Sequence, residues 1–228
     1  MSRILPIDLG FDTCYVLEAE GCIVVDAGQP RKAQVFTKGL GRALIDPTNI
    51  SVILLTHAHW DHMGSVAEIR SLTGAEVWVH SSEAEWVRTG DPPLPPGVTP
   101  WGRTFMAVHR LLAPLIDVPP SEVDRELEDE PLRLDDLGIP GTVIHTPGHS
   151  PGSVSVILDS GEAFVGDLAM NRMPLCRAPS LPIFADDPRS VRTSWKRVLE
   201  HPVRTIYPAH GASFGVDVIR GLLGTNEI

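Results

Sequence analysis

A chain of 228 residues with 43 % hydrophobic residues is long enough for one sizeable core and too apolar to remain disordered. Its 29 acidic and 19 basic residues leave a formal net charge of −10, which argues against a protein that tracks nucleic-acid phosphates. No apolar stretch approaches the ~20 residues of a membrane span, and residues 1–6 lack the apolar core of a signal peptide.

Residues 14–17 and 22–25 are short β-type runs around the polar turn 18–21. A helical pattern covers 30–43, and 51–55 is a continuous apolar run, as expected of a strand covered on both faces. A helix over 63–72 and a strand over 75–80 continue an alternation that predicts α/β layering. The proline-rich segment 91–97 cannot be regular structure, because proline lacks the donor and fixes φ. Beyond it Trp101, Phe105, Val108 and Leu112 are spaced 4, 3 and 4 apart on one helical face, behind a Thr99 N-cap and Pro100. Pro114 should end that helix, and 122–130 reads as a solvated acidic stretch. Strands at 142–145, 153–158 and 163–165 precede a helix over 189–200, a strand at 205–207 and a last helix near 216–223. A single domain over 1–228 is expected, with a lid or insert at about 88–130.

Cys14, Cys22 and Cys176 lack Cys-x-x-Cys spacing and cannot all pair, so a reduced, cytoplasmic setting is expected. The nine histidines stand out. Four ligand-type side chains crowd into Thr56-His57-Ala58-His59-Trp60-Asp61-His62, directly after the apolar run 51–55 and directly before a helix. Alternate residues of extended chain share a face, so His57 and His59 point the same way. Asp61 and His62 are adjacent, project differently and suit different positions around a metal pair. Imidazole and carboxylate donors fit Zn²⁺, and also Fe or Mn. His149, in Thr146-Pro147-Gly148-His149-Ser150, Asp167, after Gly166, and His210, in Pro208-Ala209-His210-Gly211, each follow an apolar strand. Five histidines and two aspartates are enough for two metals.

With Asp26-Ala27-Gly28 ahead of it, this series is similar, in order and over most of the chain, to that of the metallo-β-lactamase-fold hydrolase superfamily. The resemblance implies a four-layer αββα sandwich with the metal site at the edge between two sheets. It implies that His57, His59 and His149 hold one metal, that Asp61, His62 and His210 hold another, and that Asp167 bridges them. Asp26 would orient a ligand or shape a strand-end turn. The cofactor implied is two Zn²⁺, with Fe or Mn, or a single Fe, as alternatives.

The chemistry implied is hydrolysis of a small ester, thioester or lactone by a metal-bridging hydroxide, with Asp61 assisting the leaving group. A persulfide dioxygenase using one iron shares the motif and is the alternative. β-Lactam cleavage is less expected, because there is neither a signal peptide nor a Cys at Asp167, and the net charge disfavours a nuclease. Glutathione thioesters are doubtful because the chain has three lysines, Lys32, Lys38 and Lys196, and 18 residues follow His210. Related homoserine lactonases place a Tyr shortly after the bridging Asp. Residues 168–180 contain none, which leaves Asn171 or Arg172 to bind a carbonyl. Trp101, Phe105 and Met106 are expected to wall the pocket and favour an apolar acyl group. The partner is then a small molecule, with neither nucleic acid nor membrane, and a homodimer stays open. His80, His109, His145 and His201 receive no role.

Overall fold

The computed structural model describes residues 2–172, 174 and 176–224. Alternation within the apolar strands decides how its layers form. In β2 (Thr13–Glu18), β3 (Cys22–Val25) and β4 (Val52–Leu54), the side chains of Tyr15, Leu17, Ile23, Val25, Val52 and Leu54 join one core. Their alternating neighbours Cys14, Val16, Cys22, Val24 and Ile53 join another. Both faces are covered, so these strands read as continuous apolar runs.

β1 (Arg3–Asp8) pairs antiparallel with β2, while β4, β5 (Glu76–His80) and β6 (Arg125–Leu127) extend the sheet in parallel. The result is a six-stranded sheet in the order β1-β2-β3-β4-β5-β6. A second six-stranded sheet runs β12-β11-β10-β9-β8-β7. Its strands are β7 (Leu132–Arg133), β8 (Gly141–His145), β9 (Val154–Leu158), β10 (Glu162–Asn171), β11 (Thr205–Gly211) and β12 (Phe214–Gly215). Between the sheets, Tyr15, Leu54 and Trp78 pack with Val143, Val156 and Phe164.

On the outer face of the first sheet lie α1 (Ala33–Ala43), α2 (Trp60–Met63), α3 (Val66–Thr73) and α4 (Ala84–Thr89), contributing Phe36, Leu40, Met63, Ile69 and Val87. The helix α5 (Pro100–Leu112) lies apart from this layer, with Met106 in a small cluster beside Met170, Ile183 and Phe184. On the outer face of the second sheet, α6 (Pro188–Leu199) and α7 (Asp217–Gly224) contribute Val191, Trp195, Val198 and Ile219. The layering is therefore αββα.

The structure departs from the sequence reading where long-range pairing overrides local pattern. β1 and β7 were not expected, and 122–130 is not simply solvated. It contains β6, whose Leu127 is buried, and Asp124 accepts from Val77 N–H while Arg70 pairs with Glu122 and Asp124. The helix expected over 63–72 is divided into α2 and α3. The strands expected at 163–165 and 205–207 run on to Asn171 and Gly211, so Asp167 and His210 lie inside strands.

α5 starts at the expected Thr99 cap, whose hydroxyl accepts from Gly102 N–H, but its inward face is rotated. Gly102 and Met106 are buried, whereas Trp101 (47 % exposed), Val108 and Leu112 are open to solvent. Apolar spacing found a stripe but not the direction in which the helix faces.

Trp195 is fully buried on α6, and its indole N–H donates to Leu168 O at 3.0 Å, beside Asp167. Trp195→Ala should cost about 3–5 kcal/mol in denaturant unfolding. A loss below ~1 kcal/mol would show that α6 contributes little to the core.

Candidate metal centre

The strand ends and turns of both sheets deliver the His/Asp side chains to one place. Asp26 directly follows β3, is buried and adopts a left-handed φ of 64°. That unusual turn aims its carboxylate at the segment after β4. It accepts from Thr56 N–H at 2.7 Å, from Thr56 Oγ1 at 2.9 Å and from His62 Nδ1 at 3.0 Å. Ala27 N–H in turn donates to His62 O, so both ends of the 57–62 turn are tied to the end of β3.

The outer nitrogens of four histidines are all engaged. His62 Nδ1 meets Asp26, His57 Nδ1 lies 3.2 Å from Thr56 Oγ1, His149 Nδ1 donates to Phe184 O at 2.9 Å, and His210 Nδ1 donates to Phe11 O at 3.0 Å. Such partners fix ring orientation and turn each Nε2 inward. His59 presents Nδ1 instead, 2.9 Å from His149 Nε2, and its ring stacks on Trp86.

The inward atoms fall into overlapping groups: His57, His59 and His149; His57, His62 and Asp167; and Asp61, His62 and His210, each with donor atoms within 4.8 Å of one another. Asp167 lies between them. Its Oδ2 is 3.5 Å from His149 Nε2, and its Oδ1 is 3.4 Å from His62 Nε2 and 3.2 Å from His210 Nε2. Asp61 Oδ2 is 3.4 Å from His210 Nε2.

His57 Nε2, His62 Nε2 and Asp167 Oδ1 are buried without a hydrogen-bond partner. Buried polar atoms normally have partners, so three converging orphans among seven donors fit a divalent metal centre. Burial drives His57 well below the ordinary imidazole range and His59 down to about 3, which keeps both as neutral donors. Burial opposes charge on Asp167 too, but His210, His62 and His149 outweigh it and hold the carboxyl well below its usual range.

Asp167 reaches this position through a break in its strand. The parallel register of β10 against β11 shifts on both sides of Gly166, whose φ is +51°. A Cβ there would lie 2.4 Å from Thr56 Oγ1, so only glycine lets β10 approach the turn held by Asp26.

Two buried carboxylates escaped the sequence reading. Glu83, at the start of α4, accepts from Ala58 N–H at 2.5 Å and Gly152 N–H at 2.7 Å, joining the His57–His59 turn to the loop that carries His149. Asp12 is fully buried near His62 and Asp61 with neither oxygen hydrogen-bonded, and burial pushes its carboxyl up to about 7. Neither has a local signal, because each acts on chain distant in sequence.

A cavity of about 210 Å³ opens over the cluster. His59, Asp61, His149, Asp167 and His210 contribute its floor. Phe105 and Met106, both expected, line its wall together with Phe11, Trp60, Leu94 and Phe184, which the sequence did not suggest. Trp101 and Asn171 lie elsewhere: the Trp101 indole donates to Pro174 O, and the Asn171 amide donates to Ala212 O. His109, given no role by the sequence, lines the cavity between the Trp60 and Phe105 rings, with Nε2 unpartnered.

Two packed sheets flanked by helices, with a buried His/Asp centre at their strand ends, define a protein of the αββα metal-site class. The chain belongs to the Metallo-beta-lactamase superfamily, whose sequence profile matches residues 7–210. It is 29 % identical over 152 residues to a probable metallo-hydrolase, YflN, of Bacillus subtilis, covering 65 % of this chain and 55 % of that one. It is 29 % identical over 121 residues to the hydroxyacylglutathione hydrolase GloC of Haemophilus influenzae, covering 53 % and 50 %. The chain thus spans about half the length of these two curated relatives. Among solved structures, the BLEG-1 B3 metallo-beta-lactamase superposes with a TM-score of 0.69 at 26 % identity, covering 95 % of both chains.

Glu83→Gln leaves one acceptor where two backbone N–H groups converge. It should weaken metal binding about 10- to 100-fold in a competition assay with a chromophoric chelator, with the fold retained. Unchanged affinity would mean that Glu83 serves packing alone.

Asp12 gives a pH test on metal-free protein. Folded chain holds this proton up to about pH 7 and unfolded chain only to about 3.8, so the contribution of Asp12 to stability falls as pH rises between them. Asp12→Asn, measured against wild type by thermal unfolding, should therefore gain up to about 4 kcal/mol from pH 4 to pH 8. A difference that does not vary with pH would remove Asp12 from this role.

Proposed function

We propose that this protein is a metal-dependent hydrolase acting on small esters, thioesters or lactones with an apolar acyl group, at a centre of two divalent ions, zinc in the first instance. The observation that carries the reading is the composition of the cavity: a floor of metal-fitting donors beneath a wall of aromatic and aliphatic side chains, with neither Lys nor Arg among its described lining residues. His57, His59 and His149 would hold one ion, Asp61, His62 and His210 the other, and Asp167 would reach both. Such a pair, when bound, supplies hydroxide near neutral pH and polarises a carbonyl.

The chain's own residues do the rest. Phe11, Trp60, Leu94, Phe105 and Phe184 sequester the acyl chain from water, which strengthens every electrostatic contact at the floor. His109 and Gln29 are the polar groups in that wall, and His109 Nε2 is free to hydrogen-bond the substrate. Burial opposes charge on Asp61, but His210 and His62 outweigh it and hold the carboxyl below its usual range, so Asp61 would act as an ionised group beside the leaving oxygen or sulfur. Glutathione thioesters and β-lactams carry carboxylates, for which the described lining offers neither Lys nor Arg, so neutral substrates are favoured. Three free cysteines, two of them buried, suit a reducing cytoplasmic setting. No helix among the described residues is long and apolar enough to cross a membrane.

The test is a panel of aryl esters, lactones, acyl thioesters, glutathione thioesters and β-lactams on protein of measured metal content. Neutral esters or lactones should be cleaved in preference. Chelation should abolish the activity and Zn²⁺ restore it, while Phe105→Ala shifts the preferred acyl length with little change in Tm. Full turnover by metal-free protein would sink this reading. One iron per chain with sulfur oxidation in place of hydrolysis would replace it with the dioxygenase.

A further inference from the structure

A second convergence of ligand-type side chains lies outside this centre. His80 ends β5 in the first sheet, His145 ends β8 in the second, and Asp129 sits in the segment between β6 and β7. Asp129 Oδ1 is 3.2 Å from His80 Nε2 and 2.8 Å from His145 Nδ1. The two rings stack with centroids 4.2 Å apart and planes 18° from parallel. All three donor atoms lie within 4.8 Å of one another.

The outer ring nitrogens decide what this arrangement needs. His145 Nε2 donates to Pro151 O at 2.8 Å, so a neutral His145 turns the lone pair of Nδ1 toward Asp129. Two acceptors then face each other at 2.8 Å, which requires a positive charge between them. His80 Nδ1 lies 2.9 Å from Ser82 Oγ and accepts from Ser82 N–H at 3.3 Å; with the proton moved to Nδ1 and donated to that hydroxyl, His80 Nε2 offers a further lone pair on the same point. The candidate centre has the same construction: His149 donates outward to Phe184 O and turns Nε2 to within 2.9 Å of His59 Nδ1.

We propose that His80, Asp129 and His145 hold a divalent transition-metal ion at a site separate from the His57–His210 centre. Two imidazoles and a carboxylate suit Zn²⁺, and the exposure of Asp129 leaves room for water in a fourth position. The site joins the two sheets, because its histidines come from one strand of each. It also braces the Glu83 contact. Ser82 and Glu83 follow His80, and Pro151, which accepts from His145, precedes the Gly152 N–H that Glu83 binds. Gly152 sits so close that a Cβ would lie 2.7 Å from Ser82 Oγ. The role assigned to this ion is structural, and it does not depend on the reaction proposed above.

The experiment compares metal-free wild type, Asp129→Ala and the double variant Asp129→Ala/His145→Gln, each loaded at limiting free Zn²⁺ and analysed for bound metal. Asp129 is 75 % exposed, so its replacement leaves folding intact, which circular dichroism verifies. The wild type should retain one equivalent more than either variant. It should also show a larger zinc-induced rise in Tm, and with Co²⁺ an additional visible absorption that both variants lack. Equal stoichiometry in all three proteins would overturn the proposal and leave an imidazolium–carboxylate ion pair. Loss of every equivalent in Asp129→Ala would equally overturn it, since the two sites would not then be separate.

Discussion

His57 Nε2, His62 Nε2 and Asp167 Oδ1 are buried side by side with no protein partner, and each such atom costs roughly 1–3 kcal/mol in the absence of a ligand. A cation at their meeting point would remove that cost. Most of the surrounding structure serves to keep these lone pairs facing inward. The outer nitrogens are engaged by Asp26, Thr56, Phe184 O and Phe11 O, partners drawn from separate parts of the chain. The metal chemistry and the fold are therefore linked, because the same hydrogen bonds that orient the rings join the strand ends of the two sheets.

Two backbone irregularities lie at the same place. Asp26 holds a left-handed φ at the end of β3, and Gly166 interrupts the β10 register one residue before Asp167. A non-glycine residue at positive φ is uncommon, and here its carboxylate receives three hydrogen-bond donors that repay the conformational strain. Glu83 performs the corresponding task on the other side, holding the 57–59 turn against the loop of His149. Buried carboxylates behind the ligands thus fix the two loops that the sheets alone would leave free to move.

The wall of the cavity follows a different logic. It is built largely from Phe11, Trp60, Leu94, Phe105 and Phe184, brought together from four distant stretches of chain. Of the expected elements, α5 contributes through Phe105, Met106 and His109 rather than through Trp101. Donor identity at the floor is set by metal preference, whereas the wall requires only apolar surface of suitable shape, which many sequences can supply.

That contrast explains what could be read in advance. His57, His59, Asp61 and His62 stood out as candidates because four ligand-type side chains within six residues after a buried strand are hard to explain by packing. His149, Asp167 and His210 stood out as candidates because each follows an apolar run beside glycine or proline, although Asp167 and His210 lie inside strands. The αββα layering was implied by family resemblance and agrees with the alternating burial of the strands.

The rotation of α5, the strand hidden in 122–130 and the contacts of Glu83 and Asp12 depend on partners 25 or more residues away, so no local period reports them. His80 and His145 carried no signal for the same reason, since one lies in each sheet. The sequence by itself determined the candidate donor set and the order in which the chain delivers it, because ligand chemistry is written in residue type. Only the tertiary structure decided which nitrogen of each ring turns inward, which carboxylates stand behind the ligands and which side chains close the cavity, because those are properties of long-range contact.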